Sequence, residues 1–316
     1  MPALPFRFVS ATRSGSVSSL AFLRAVRRLV RRTGPPTGVV HCQRPDDLVP
    51  FARVDGRSPR IVTIHGDPLP GIRSRHGRLG AVAYLRTERQ GVEIAHRILF
   101  IDPGSRASLS ERYPDFVGKF GETDVGVDLA IFRRQDSDSA KRHWDLPDRP
   151  HVLFAGRFAP EKNLGLLSQA LRLCTTRPVL LLAGIGPGEG RVRESLEGVS
   201  HRFLGIVPHE EMPILYSAVD ATVITSTREA MPLLCIESLA CGTPVVATRV
   251  GRLPELITPG ENGFLSEANP HDLSRMIDTA LEHRKEMSAN CRETAVPFGW
   301  DRVLPNVLRE YEKAVP

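Results

Sequence analysis

A chain of 316 residues with 41% hydrophobic side chains has material for two cores of ordinary size. No apolar run approaches the ~20 residues that cross a bilayer and no signal-peptide core opens the chain, so a soluble cytoplasmic protein is expected. Five scattered cysteines without a C-x-x-C pair exclude a disulfide framework and a zinc site, and aromatics at 6% with no basic patch among stacking residues exclude nucleic acid as a partner.

The net charge of +6 is unevenly placed: residues 1–132 carry 20 Lys/Arg against 12 Asp/Glu, and the remainder carries 22 against 24. That asymmetry points to an anionic partner for the first part. Phe6 to Ser10 reads as a strand, and Ser18 to Arg32 as a helix with Leu20, Leu23, Val26, Leu29 and Val30 on one side. Its other side carries Arg24, Arg27, Arg28, Arg31 and Arg32, read first as a solvated face and second as a dock for anionic lipid, which would give peripheral membrane contact.

Strands are expected at Gly38 to Cys42, Arg60 to His65 and His96 to Ile101, with a helix from Asp46, which makes a parallel α/β sheet. Ligands in such sheets bind beyond the carboxyl ends of strands, where His65-Gly66-Asp67 lies, although a strand-end His taken alone is more often a structural hydrogen-bonder. Pro68 to Gly80 is long, basic and Gly-rich and reads as a loop, either mobile or closing over an acceptor. Arg133 to Pro150 has linker composition, and a second α/β lobe begins at His151.

There HVLFAGRFAPEKNLGLL gives a strand, a tight glycine loop and a helix from near Asn163. Within it Arg157 offers a planar fork and Lys162 a mobile point charge, a combination suited to a diphosphate. Val179 to Ala183 and Arg202 to Val207 read as strands, separated by the glycine turn 184–188. Asp220 to Ser226 and Thr243 to Val250 bracket a helix at Pro232 to Cys241, with Pro in its first position and Gly242 past its end.

That helix is apolar almost all round, and its one charge, Glu237, needs a hydrogen-bonding partner if it is buried. Glu229 precedes it in the feeding loop, and the free amides of Met231 to Leu234 form an anion seat at the same end. Acids on either side of an anion seat suit a nucleotide sugar, and a core Glu satisfied by a Ser or a backbone amide fits the same residues equally well. Leu253 to Ile257, a turn and strand near 259–264, a helix at His271 to His283 and a C-terminal helix with Val303, Leu304, Val307, Leu308 and Tyr311 at helical spacing complete the chain.

Glu229, seven residues, Glu237, followed by SLACGTPVVAT, resembles the donor-site motif of the family 4 retaining glycosyltransferases, and further matches recur in order from His41 to the C-terminus. The resemblance implies an α/β fold of two Rossmann-like lobes of the GT-B type with the active site in the cleft between them. Its boundaries here are an acceptor-side lobe at 1–132, a linker at 133–150, a nucleotide-sugar lobe at 151–296 and a helix at 297–316 crossing back to the first lobe.

It further implies sugar transfer from a nucleotide-sugar donor to an acceptor hydroxyl with retention; the acceptor is unknown, and the basic first part points to an anionic or lipid-linked one. A nucleotide-sugar epimerase of the same fold and a non-catalytic nucleotide-sugar binder are the alternatives. No cofactor and no metal are expected. Carried over from the family, Arg157 and Lys162 hold the diphosphate, the segment ending in Val207 borders the base, and the amides of the segment Met231 to Leu233, in which Pro232 supplies no donor, receive charge. Glu229 holds sugar hydroxyls, Glu237 the ribose, and His65 helps place sugar and acceptor. The chain departs from the pattern at Val125, usually Asn, and at Ile185, often acidic. The family's opening strand and glycine loop have no match before His41, so either the reading frame starts too late or the first lobe lacks this part, and the chain is expected to bind nucleotide but to transfer sugar poorly.

Overall fold

Short runs, most of them rich in Val, Ile and Leu, form ten parallel strands among the residues described by the computed structural model, 24–28, 38–52 and 58–315. Contacts divide the chain into two units, one made of residues up to Thr123 together with those from Asn306, the other of Asp124–Pro305. The strand read at Phe6 to Ser10 lies outside the described residues, as does the helix read at Ser18 to Arg32 except for 24–28, which are helical.

In the first unit the sheet runs β1 (Val40–Cys42), β2 (Arg60–Ile64), β3 (Arg97–Phe100), β4 (Phe120–Glu122). Val62, Ile64, Ile98 and Phe100 turn one face into a core with Val92 and Leu109, while Ile61 and Leu99 on the other face pack on Ala314 and Tyr311. The helix expected from Asp46 is a 3-10 helix, Pro45–Phe51, with Pro50 inside it, a residue whose ring clashes with the carbonyl four positions back in an α-helix.

Pro68 to Gly80 is not a loop. It opens helix α1, Leu69–Ile94, which bends at Gly77 where the backbone leaves helical geometry (φ 63°, ψ −164°). Two local features outweigh its loop-like composition. The Asp67 carboxylate, one residue ahead of the N-cap Pro68, accepts from the Leu69 amide at 3.0 Å and so satisfies one free donor of the first turn, and Pro70 supplies a helix-compatible φ where no amide is needed. Another helix, α2 (Pro103–Arg112), starts on a side-chain N-cap, Asp102, which accepts from the Ser105 amide.

In the second unit helix α3 (Ser137–His143), capped by Asp136, forms within the stretch of linker composition. After it come β5 (His151–Ala155), α4 (Leu164–Leu173), β6 (Val179–Ala183), α5 (Glu189–Ser195), β7 (His201–Gly205) and α6 (Met212–Ala218). Then follow β8 (Ala221–Ile224), α7 (Leu233–Ala240), β9 (Val245–Thr248), α8 (Leu253–Leu256), β10 (Gly263–Ser266), α9 (Pro270–Ala295) and α10 (Trp300–Ala314). The sheet order is β10-β9-β8-β5-β6-β7, so the winding reverses between β5 and β8, and beyond their carboxyl ends the two following loops diverge to leave a crevice.

Helix α9 runs twelve residues past the expected His283, because its buried stripe continues through Met287, Cys291 and Ala295 and no breaker intervenes before Pro297. The unit boundary falls within α10. Its last turns belong to the first unit, where Tyr311 meets His41 Nδ1 at 2.6 Å and Arg97 Nε donates to Glu310 at 2.9 Å. Among the described residues no helix is long and apolar enough to cross a membrane.

His151 opens β5 with 0% exposure, and its main chain exchanges two hydrogen bonds with Asp220: its amide donates to Oδ2 at 2.7 Å and its carbonyl accepts from the Asp220 amide at 2.9 Å. Burial is the chief cause that pulls its pKa from 6.5 down to about 4. The unfolded chain therefore binds the proton first, and the stability present above pH 6.5 is lost as pH falls toward 4, by roughly 3 kcal/mol from this group. Urea titrations across that window should show the loss in the wild type and a flatter profile in His151→Leu; identical profiles would remove His151 from the acid sensitivity.

Candidate active site

The crevice of the second unit is built on two glycine-bearing loops. After β5 the chain turns at Gly156 and anchors on Phe158, whose buried ring lies 6.1 Å from Phe154 and 5.8 Å from Phe203. The loop after β6 lies directly against it: the Gly156 amide donates to Ala183, Phe158 to Ile185 and Gly188 to Phe158. Gly184 has φ 138°, and a Cβ there would overlap the Gly156 carbonyl, so only glycine lets the two backbones meet. Between these loops and the end of β7 opens a cavity of about 520 Å³, walled by Gly156, Arg157, Gly184, Ile185, Ile206, Val207 and Met212.

A 3-10 turn, Pro160–Lys162, and a left-handed Asn163 lead from the first loop into α4. Lys162 is fixed at both ends. Its carbonyl accepts from Thr225 Oγ1 at 2.8 Å at the end of β8, and its ammonium donates to Glu229 Oε1 at 2.5 Å. Glu229 also accepts from Ser226 Oγ at 2.6 Å, and the loop carrying it is tied down where the Arg252 amide donates to Ala230. Arg157, with a side chain 62% exposed, pairs with Glu161 at 2.8 Å and keeps its fork at the surface beside the cavity.

Met231 and Pro232 are buried ahead of α7, and Leu233 is exposed at its first turn. Pro232 is not the first helical residue but the N-cap, with extended backbone (ψ 106°) and a carbonyl that accepts from the Cys235 amide at 3.0 Å. The first-turn amides of Leu233 and Leu234 have no carbonyl within the helix to donate to.

Glu237, 6% exposed, accepts from Tyr216 Oη at 3.0 Å and meets His209 Nε2 at 3.0 Å, so its partners are a tyrosine and a histidine rather than a Ser or a backbone amide. Burial, and then the adjacent carboxylate, raise the Tyr216 pKa well above its usual value, which keeps the phenol a donor. The His209 ring leans on Phe132 at 4.9 Å.

The structure thus gathers Arg157, Lys162, Val207, Glu229, Met231, Pro232, Leu233 and Glu237 at one end of the second unit's sheet. His65 belongs to the first unit, past the end of β2, where its Nε2 lies 2.5 Å from Gln43 Oε1 and surrounding protein desolvates the ring and lowers its pKa. Beside it Arg112 bridges Asp67 and the fully buried Glu88, which Tyr84 and Tyr113 also hold. Among the described residues no cluster of three or more His, Cys, Asp or Glu is placed to hold a metal ion. His209 and Tyr216 escaped the sequence reading; the signal for them was the requirement that a lone carboxylate in an apolar helix find donors.

The family model described as "Glycosyl transferases group 1" matches residues 136–296. The D-inositol 3-phosphate glycosyltransferase of Streptosporangium roseum is 30% identical over 72% of this chain and 57% of its own length, and that of Thermomonospora curvata is 33% identical over 72% and 59%. The chain therefore spans less than two thirds of these relatives. Among solved structures, sucrose-phosphate synthase from Thermosynechococcus elongatus aligns with a TM-score of 0.76 at 24% identity, covering 93% of this chain and 77% of that one. Anabaena Alr3699/HepE in complex with UDP and glucose gives 0.77 at 20% identity, covering 95% and 84%. These likenesses show the fold, two parallel α/β units of the GT-B type.

The carboxylate of Glu237 orders its two donors by burial. Tyr216→Phe, which removes a donor in the dry interior, should lower stability by about 1–3 kcal/mol, and His209→Ala, at the solvent side, by less. Equal shifts in thermal midpoint for the two variants would contradict that order.

Proposed function

The chain belongs to the group 1 glycosyl transferases, and on that premise we propose that it moves a sugar from a nucleotide-sugar donor to an acceptor hydroxyl with retention of anomeric configuration. The observation that carries this reading is the pairing of Lys162 with Glu229 where the winding of the sheet reverses, beside an apolar cavity of about 520 Å³. The cavity, walled by glycine backbone, Ile206, Val207 and Met212, suits a flat nucleobase.

The diphosphate is proposed to sit toward Lys162 and the first turn of α7, with the Arg157 fork swinging over from Glu161. Ammonium, guanidinium and helix amides then face the negative charge that grows on the diphosphate as the sugar–phosphate bond breaks, so they favour the transition state without a metal ion. Glu229 in this scheme exchanges part of its bond to Lys162 for sugar hydroxyls. Glu237, held by Tyr216 and His209, presents a fixed acceptor to the ribose. His65, kept neutral near pH 7 by its lowered pKa, is proposed to accept a hydrogen bond from a sugar or acceptor hydroxyl.

A uridine nucleotide is the first donor to try, since the solved relative holds UDP, and a phosphorylated polyol is the first acceptor, in view of the relatives' name and the basic first 132 residues. Contact of that half with an anionic membrane is a further part of this proposal. Thermal shifts with UDP-, GDP-, ADP- and dTDP-sugars, then product mass with and without acceptor, test the reading. Conversion of donor without acceptor would identify an epimerase instead, and nucleotide binding without any product a binding protein.

Arg157→Ala and Lys162→Ala should each weaken nucleoside diphosphate binding by roughly 1.5–3 kcal/mol. Unchanged calorimetric affinity in both would remove the pair from the site. Glu237→Gln should weaken the free nucleotide, whereas Glu229→Gln should spare it and cut turnover; variants that behave alike would overturn this division of roles.

A further inference from the structure

Where β8 and β9 begin, at the end of the second unit's sheet opposite the crevice, lies another cavity of about 220 Å³. Its wall holds four cations, Arg134, Lys141, Arg284 and Lys285, against two carboxylates, Asp138 and Asp220. Asp220 is 3% exposed and already engaged: Oδ2 accepts from the His151 amide, while Oδ1 pairs with Arg284 and stands 4.0 Å from the Lys141 ammonium. Burial and then the nearby Arg284 charge lower the Lys141 pKa, and burial lowers that of Arg284, with Asp148 acting against both shifts. Two partly desolvated cations therefore share one buried carboxylate.

Arg134 and Lys285 make no hydrogen bond or ion pair among the described residues, and neither does the Ser288 hydroxyl, which is 7% exposed. Capping of α7, whose end at Cys241 and Gly242 forms part of the wall, does not explain the surplus, because Arg292 already donates to the Ala240 carbonyl at 2.9 Å. Gly242, at φ 76°, leaves Ser288 open to the cavity, since a Cβ there would come within 2.8 Å of its Oγ.

We propose that this cavity is a second anion site, taking a phosphoryl group, free or carried on a small metabolite, between Arg134, Lys141, Arg284 and Lys285. Four cations against the wall's two carboxylates, Asp138 and Asp220, leave an excess of two positive charges, which with an unbonded hydroxyl among them matches the charge and the acceptor oxygens of phosphate. The site does not depend on the transfer reading and shares no side chain with it.

The test uses the full chain with Arg157→Ala and Lys162→Ala in place, so that the crevice loops do not compete for the probe. Calorimetric titration with inorganic phosphate should still show one bound ion per chain. Adding Arg134→Gln and Lys285→Gln should weaken it roughly tenfold or more while the thermal midpoint holds, because both side chains are exposed and unpaired. A hexose phosphate run in parallel separates the sources: tighter binding than phosphate assigns the site to a phosphorylated sugar, and equal binding assigns it to the free ion. No phosphate bound once the crevice is silenced, or binding indifferent to Arg134 and Lys285, would overturn the proposal.

Discussion

The crevice depends on one side chain being held at two points. Lys162 gives its carbonyl to Thr225 and its ammonium to Glu229, so the loop after β5 and the loop after β8 cannot separate without breaking both. The sheet brings those loops near each other by reversing its winding, but it sets only where the strands end. The ion pair, 21% and 13% exposed at its two side chains, is dry enough for the carboxylate's second donor, Ser226, to matter. Loss of one partner there leaves a charge in a place where water reaches it poorly.

A different constraint shapes the neighbouring cavity. No charge joins the loop after β5 to the loop after β6; main-chain hydrogen bonds and the absence of a Cβ at Gly184 do. Backbone-to-backbone packing positions the apolar wall rigidly, whereas Arg157, free of such ties, pairs with a neighbour on its own loop. The site therefore combines a fixed slot with one adjustable cation.

Much of this was legible in the sequence because the relevant residues are close together along it. Lys162 and Arg157 share a loop, Glu229 and Glu237 lie eight positions apart, and β6 runs from Val179 to Ala183 as read. What was missed depends on distant segments or on local capping. Tyr216 and His209 reach Glu237 from 21 and 28 residues away, and only the need for a partner could be read. Pro68 to Gly80 looked like a loop by its glycines and arginines, yet the Asp67 carboxylate and Pro70 at the start outweigh them. The long α9 was cut short at a charged stretch, 282–286, in which Arg284 pairs with Asp220 and the rest are exposed, before the buried stripe resumes at Met287.

Helix α7 joins the two ends of the second unit's sheet with only eight residues, about 12 Å of rise. Its peptide dipoles make the two ends unequal hosts for negative charge: the Leu233 end attracts an anion, and the Gly242 end repels one. A ligand at the first is gripped partly by backbone that ionic strength cannot displace, whereas a ligand at the second relies on side-chain charge, with Arg134 and Lys285 exposed to solvent, and must overcome the helix itself. Added salt should therefore empty the far cavity while the crevice remains filled.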